Sequence, residues 1–216
     1  MSEVIGVCGH IGSGKSHFSK LIADRFEYHH INCDQLFKQK VSSDHQYIEA
    51  VTKFGKMYDI EVFKNGEYNK DLASIIFSFE EYKDEYPKLD LLNKFNQIFL
   101  NNVIVDEVSK YDKVLIEMAV LVDNPIKVLC DKIFLIESYS LTRIKPWYIC
   151  IPDKLVENVK NRDVNRDEVL IRSILCYQIA KLKKNYKDVT KISNRNKESF
   201  ASDSSLIEQF RKLTGK

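Results

Sequence analysis

The chain has no apolar run approaching the ~20 residues that a membrane-crossing helix needs. No secretory leader is expected either, since Met1-Ser2-Glu3 runs straight into an apolar strand pattern. It lacks any Cys-x-x-Cys pair. Its five cysteines, Cys8, Cys33, Cys130, Cys150 and Cys176, are odd in number, and most sit inside apolar stretches. That excludes a zinc ribbon and argues against a disulfide framework, leaving buried thiols in a reducing, cytoplasmic setting as the expectation. No charge of one sign dominates. Lys and Arg number 33 against 31 Asp and Glu, for a net charge of +2. Neither nucleic acid nor an anionic membrane is therefore expected as a partner. The basic cluster Lys181-Leu182-Lys183-Lys184 reads as a solvated helix face. Internal repeats and low-complexity segments are absent. With 216 residues and an apolar fraction of 44%, one domain with a sizeable core is expected, as a monomer or weak homo-oligomer.

What stands out is Gly9-His10-Ile11-Gly12-Ser13-Gly14-Lys15-Ser16, which fits the phosphate-binding pattern G-x-x-x-x-G-K-[ST]. The apolar, β-branched stretch Val4-Ile5-Gly6-Val7-Cys8 precedes it, and Phe18, Leu21, Ile22 and Phe26 follow at helical spacing. A strand, a glycine-rich turn and a helix form the context this motif requires. Gly9, Gly12 and Gly14 let the backbone turn its N–H groups inward around an anion. The helix beginning at Lys15 adds its positive end. Lys15 is expected to reach the β- and γ-phosphates of ATP and the Ser16 hydroxyl to ligate Mg²⁺, with the adjacent His17 completing the nucleotide-binding run. His10 lies inside the loop, with its side chain expected to point outward.

Taken in order, residues 29–33 read as a second strand with Asp34 at its C-terminal end. Helical runs are expected through Leu36, Phe37 and Val41, and through Ile48, Val51 and Phe54. Residues 55–70 read as turns, with Gly55 and the tight-turn signal Asn65-Gly66. A helical period restarts at Leu72 and runs to Phe79. A long helix follows from Leu89 to about Tyr111, with Leu92, Phe95, Ile98, Phe99, Val103 and Val108 on its apolar face. Lys113–Glu117 and Asp131–Glu137 read as the third and fourth strands, Trp147–Ile151 as a further short strand, and Asp188–Ile192 as the last. Helices are expected over Leu155–Arg162, Arg166–Tyr186 and a closing run through Leu206, Ile207, Phe210 and Leu213. Strands alternating with helices predict an α/β fold with a parallel sheet covered on both faces.

A phosphate loop fixes the nucleotide but not the reaction. The Asn-Lys-x-Asp motif of GTP-binding switches is missing, and motor or transporter ATPases are far longer, so a small kinase is the natural class. Such an enzyme needs a group to orient and deprotonate the acceptor hydroxyl. Asp34 is the candidate, at the sheet edge where open α/β folds bind ligands; helix capping is its alternative role. Glu117 ends the third strand, where it is placed to hold Mg²⁺ or polarise the acceptor. Arg162 and Arg166 flank a break between two helices, suited to a lid that closes over ATP. His29 and His30 are expected to pack or face solvent.

The ordered set of motifs resembles the dephospho-coenzyme A kinase family. Val7 through Ser16 is similar to that family's loop, usually G-G-I-G-S-G-K-S. Ile31-Asn32-Cys33-Asp34 is similar to its D-A-D strand end, with Asp34 at the second aspartate. Phe54-Gly55, Asn65-Gly66 and Leu72 through Phe77 resemble its F-G…D-G…L-x-x-I-F segment. Leu121-Val122-Asp123 followed by Asp131-Lys132-Ile133-Phe134 keeps the spacing of its third and fourth strands. Arg162, Gln178 and Asn194 fall at its lid arginine, helix glutamine and late asparagine. The resemblance implies a three-layer P-loop kinase fold: five parallel strands, helices on both faces, a helical substrate-binding insertion over about 44–111, and a lid over about 153–186. It implies ATP-dependent phosphorylation of the ribose 3′-hydroxyl of dephospho-CoA, the last step of coenzyme A synthesis, with ATP and Mg²⁺ required. Asp34 would be the base, Lys15 and Ser16 the phosphate and magnesium groups, and Arg162 the lid arginine. Asn194 would lie near the adenine, and Lys70 would stand for a substrate-binding arginine.

The departures gather on the acceptor side. Asn32 replaces the first aspartate of D-A-D, Lys70 the arginine, and Asn96-Gln97 a His-Pro pair; about a dozen extra residues near Tyr139–Pro152 suggest a hairpin. Two other readings stay open: a kinase of the same architecture acting on another nucleoside or nucleotide, and a non-catalytic ATP-binding protein.

Overall fold

The structure is a computed structural model describing residues 2–69, 72, 86–141, 151–162, 167–195 and 200–216, with the backbone alone for 86–90, 93 and 162. In chain order the elements are β1 (Glu3–Cys8), α1 (Lys15–Phe26), β2 (His29–Asn32), α2 (Cys33–Ser43), α3 (His45–Tyr58), β3 (Phe63–Lys64), β4 (Glu67–Tyr68), α4 (Tyr86–Val108), β5 (Lys113–Glu117), β6 (Lys132–Glu137), α5 (Asp153–Arg162), α6 (Glu168–Lys184), β7 (Thr190–Ser193) and α7 (Asp203–Thr214). Short 3-10 turns at Leu121–Asp123 and Pro125–Leu129 link β5 to β6. The chain divides into two compact units, Met1–Asn32 with Val108–Lys216, and Cys33–Glu107.

The first unit is built on a five-stranded sheet in the order β2-β5-β1-β6-β7, every neighbouring pair parallel. β1 is central, which explains its unbroken apolar run: a strand covered on both faces has no solvent side to mark with polar residues. On one face, Ile5 and Val7 pack with Phe18, Ile22 and Ala23 of α1 and with Leu206 and Phe210 of α7. Phe18, Phe134 and Phe210 meet with ring centroids 5.5–6.4 Å apart. On the other face Gly6 keeps the sheet thin. A Cβ there would lie 2.6 Å from Leu121 Cδ2. The strand expected over residues 29–33 ends at Asn32, and Cys33 already begins α2. The strand expected at 188–192 runs over Thr190–Ser193. Of the strand expected at Trp147–Ile151, only Ile151 is described, buried and outside any strand; the hairpin near 139–152 likewise lies mostly outside the described residues.

The second unit, described by itself, has a core of Val41, Tyr47, Val51, Val62, Leu72 and Leu92. β3 and β4 form a hairpin whose two-residue loop puts Asn65 at φ 54° and Gly66 at φ 81°, the positive pair that a tight hairpin turn requires. Two expectations fail here. Gly55 is helical, because α3 continues to Tyr58 and the reversal comes at Asp59, φ 57°. The glycine serves a close approach instead, since a Cβ on it would lie 2.6 Å from Ile60 O. Ile98, placed on the apolar face of α4, is 65% exposed, while Ile104 is fully buried. Ile98 is one residue, about 100° of helix turn, from Phe99, which is half-buried against the core.

Candidate active site

The loop Gly9–Ser16 joins β1 to α1 and is held by distant parts of the first unit. Gly9 N–H donates to Ala119 O at 3.1 Å and Ser13 N–H to His10 O at 3.1 Å. Ile11 N–H donates to Gln178 Oε1 of α6 at 2.7 Å, and Asn194 Nδ2, just after β7, donates to Ser13 O at 2.8 Å. Asn194 is itself pinned by its own N–H to Glu137 O at 2.8 Å. Gly12 and Gly14 take the left-handed region at φ 77° and 85°. Gly14 is doubly constrained, because a Cβ on it would lie 2.0 Å from Asn194 Nδ2.

This bracing leaves one coherent group of donors over. The N–H groups of Gly12, Gly14, Lys15 and Ser16 have no partner among the described residues. They stand at the positive end of α1, whose N-terminal turn carries no acidic residue. Lys15 is only 9% exposed and makes no ion pair among the described residues. A buried ammonium beside four such donors has the chemistry of an anion-binding site. A cavity of about 560 Å³ opens on it, lined by loop residues and by Asn158, Asn194 and Phe200. That volume suits a nucleotide-sized ligand.

Glu117, 3% exposed, is the acidic group of the site. Its Oε1 accepts from Ser16 Oγ at 2.5 Å, and its Oε2 from His30 Nε2 at 3.0 Å and Asn32 Nδ2 at 2.9 Å. Burial pushes this carboxyl up, but the hydrogen bonds from His30 and Ser16 and the charge of Lys15 outweigh it and hold it below the ordinary carboxylate range. The donor set, an ionised carboxylate joined to a hydroxyl, is hard oxygen chemistry of the kind Mg²⁺ takes. Among the described residues no cluster of three or more His, Cys, Asp or Glu forms a metal cage.

The remaining candidate residues land as follows, and some expectations fall. His10 does not point outward. It is fully buried, its Nδ1 bonded to Ile11 O at 2.7 Å, and burial pushes its pKa down to about 4, so it is neutral near pH 7. His17 bonds Asp203 Oδ1 at 2.7 Å, tying the first turn of α1 to that of α7. Asn194 lines the cavity; its Nδ2 is spent on Ser13 O, while its buried Oδ1 has no partner among the described residues. Asp34 is in the first turn of α2 and not at a strand end. It is exposed, and its carboxylate has no partner among the described residues. Arg162 closes α5. Its side chain, together with Lys70 and Arg166, lies outside the described residues. In the second unit Asn96 is wedged between two tyrosines, accepting from Tyr47 OH at 2.8 Å and donating to Tyr68 OH at 2.9 Å.

Sequence reasoning left His30 and Asn158 out of the site and gave Gln178 no role. For His30 a signal existed: residues 30 and 32 alternate onto one face of a short strand. For Asn158 nothing local pointed to the cavity.

Comparison with known proteins follows the same lines. The family described as Dephospho-CoA kinase matches residues 3–198. A dephospho-CoA kinase of Borreliella burgdorferi is 26% identical over 200 residues, spanning 89% of this chain and 86% of that protein. Among solved structures, TT1252 from Thermus thermophilus superposes with a TM-score of 0.69 at 17% identity, covering 98% of this chain and 95% of its own. Dephospho-CoA kinase from Campylobacter jejuni does so with a TM-score of 0.53 at 13% identity, covering 100% and 99%. At such identities the two structures establish the fold.

Proposed function

The chain belongs to the dephospho-CoA kinase family, and on that premise we propose that it transfers the γ-phosphoryl group of ATP to the ribose 3′-hydroxyl of dephospho-CoA, completing coenzyme A. The observation that carries the nucleotide half is the set of N–H groups at Gly12, Gly14, Lys15 and Ser16, which have no partner among the described residues, around a buried lysine with no ion pair among them. These donors are fixed before the ligand arrives, so binding the phosphates costs little reorganisation. Lys15 neutralises charge on the β- and γ-phosphates. Ser16 and Glu117 would hold Mg²⁺, which when bound would neutralise phosphate charge and help align the transferring group. Asp34, an exposed carboxylate with no competing partner among the described residues, takes the proton from the acceptor hydroxyl as it attacks. The family resemblance would give Arg162, the last residue of α5, the role of lid cation toward the transferring phosphoryl group.

A sister activity is the second reading, and Asn96 favours it. At the place of the family's histidine this chain has a side chain bonded to Tyr47 and Tyr68 instead. ATP consumption with Mg²⁺ separates the readings when dephospho-CoA is compared with adenosine, deoxynucleosides and no acceptor. Strong stimulation by dephospho-CoA is expected. Stimulation only by another acceptor would move the function to a sister kinase, and ATP binding with no transfer at all would leave a non-catalytic binder.

A further inference from the structure

Glu117 is the point where three separate side chains converge, and two of them belong to no phosphate-loop motif. His30 and Asn32 alternate onto the same face of β2. β2 runs parallel to β5, with Asn32 directly opposite Glu117. Both donors land on one oxygen, Oε2, at 3.0 Å and 2.9 Å, while Oε1 is left to Ser16. The carboxylate's two oxygens are thus divided: one is anchored to the sheet, the other is presented to the loop. A glutamate's last torsion is soft and settles wherever its partners hold it. At 3% exposure, little water is at hand to replace a lost donor.

The identity of residue 32 matters to this arrangement. An aspartate there would set a second carboxylate against Glu117, like charge against like charge, unless a cation or proton sat between them. An asparagine amide donates instead, and His30 adds a second donor to the same oxygen. The acidic group that this strand lacks is replaced by a clamp on the acidic group that remains.

We propose that His30 and Asn32 are positioning residues that fix the Glu117 carboxylate toward Ser16 and thereby set how much Mg²⁺ strengthens ATP binding. The inference rests on the phosphate-loop and Mg²⁺ part of the function above and not on the acceptor, so it is tested without one.

The experiment is calorimetric titration with ATP in saturating Mg²⁺ and in EDTA, on the wild type, His30→Leu, His30→Gln and Asn32→Ala, with thermal melts as a folding check. The Mg²⁺ enhancement of ATP affinity is expected to fall about tenfold in His30→Leu and Asn32→Ala, the usual size for losing a group that orients a metal ligand. Affinity in EDTA should stay where it was. His30→Gln should regain most of the loss, because its amide nitrogen reaches the place of the imidazole Nε2. A wild-type enhancement in His30→Leu overturns the inference, as does a glutamine variant no better than leucine. An equal loss with and without Mg²⁺, alongside a lowered melt, overturns it in favour of a merely structural strand contact. A wild type whose ATP affinity ignores Mg²⁺ would sink the metal assignment and the inference together; failure with dephospho-CoA alone would touch neither.

Discussion

The loop Gly9–Ser16 and the unit Cys33–Glu107 both bury polar side chains, but they spend them differently. Around the loop, the polar groups Asn194, Gln178 and Glu117 are turned on the loop itself: on Ser13 O, Ile11 N–H and Ser16 Oγ. The loop's other donors and Lys15 remain open among the described residues. In the second unit, the polar groups Tyr47, Asn96 and Tyr68 satisfy one another. A polar network that braces a loop prepares a binding site; one that closes on itself fixes a core. Nucleotide binding is therefore built into the frame of the first unit. On the proposed function, acceptor chemistry would fall to Asp34, an exposed residue that makes no hydrogen bond to Tyr47, Asn96 or Tyr68.

The largest test of this contrast pairs Lys15→Ala with Asp34→Asn. Lys15→Ala should abolish detectable ATP binding and turnover together, because the buried cation among the open donors is lost. Asp34→Asn should lower turnover by about 10³-fold, within the usual range for a general base, and leave ATP affinity nearly unchanged. Calorimetry with ATP and a coupled assay on the same preparations give both readings. Unchanged ATP binding in Lys15→Ala would contradict the phosphate-loop assignment, and near wild-type turnover in Asp34→Asn would remove it as the base.

The same contrast explains what could be read from the sequence. The loop was legible because its determinants are local: glycines at two left-handed positions, a lysine, a serine, and an apolar run on each side. The strands of the main sheet were legible to within a residue or two for the same reason. The bracing was not. Gln178 and Asn194 reach the loop from 167 and 181 residues away, and no periodicity encodes such a contact. His10 misled because loop residues are usually solvated, whereas this one folds back on Ile11 O inside the core. Gly55 misled in the opposite sense: glycine is read as a break, but here it permits α3 to touch Ile60. The resemblance to a family supplied Gln178 and Asn194 by position; only the structure supplied what they hold.

Asn96 tests the closed network. Asn96→Ala would leave the hydroxyl of Tyr47, which is 1% exposed, and that of Tyr68 without their partner, and would open a small void. The cost should be about 2 kcal/mol, the desolvation penalty of an orphaned buried polar group, read as a lowered urea midpoint. ATP affinity should not move. A variant that stays as stable as the wild type but loses affinity for the acceptor would show that Asn96 faces substrate after all, and the two regions would then be less different than their hydrogen bonds imply.

The smallest effect is the most discriminating. Gln178 Oε1 takes the N–H of Ile11, a loop amide tied in this way to a distant helix. Gln178→Ala touches no nucleotide group directly. If the loop were rigid by its glycines and its own Ser13-to-His10 bond alone, ATP affinity would be indifferent to the change. If the bracing holds the open donors in register, ATP must now order the loop as it binds, and that ordering is subtracted from its affinity. One neutral hydrogen bond contributes about 1 kcal/mol, and the buried N–H left behind adds somewhat more. ATP affinity should therefore fall about tenfold, the equivalent of about 1.4 kcal/mol, while turnover at saturating ATP changes little. Gln178→Glu refines the result, because a carboxylate keeps an acceptor for Ile11 N–H but places a negative charge near the bound phosphates. It should bind ATP more weakly than wild type at low ionic strength and recover part of the difference as salt is raised, whereas the alanine variant should show no such recovery.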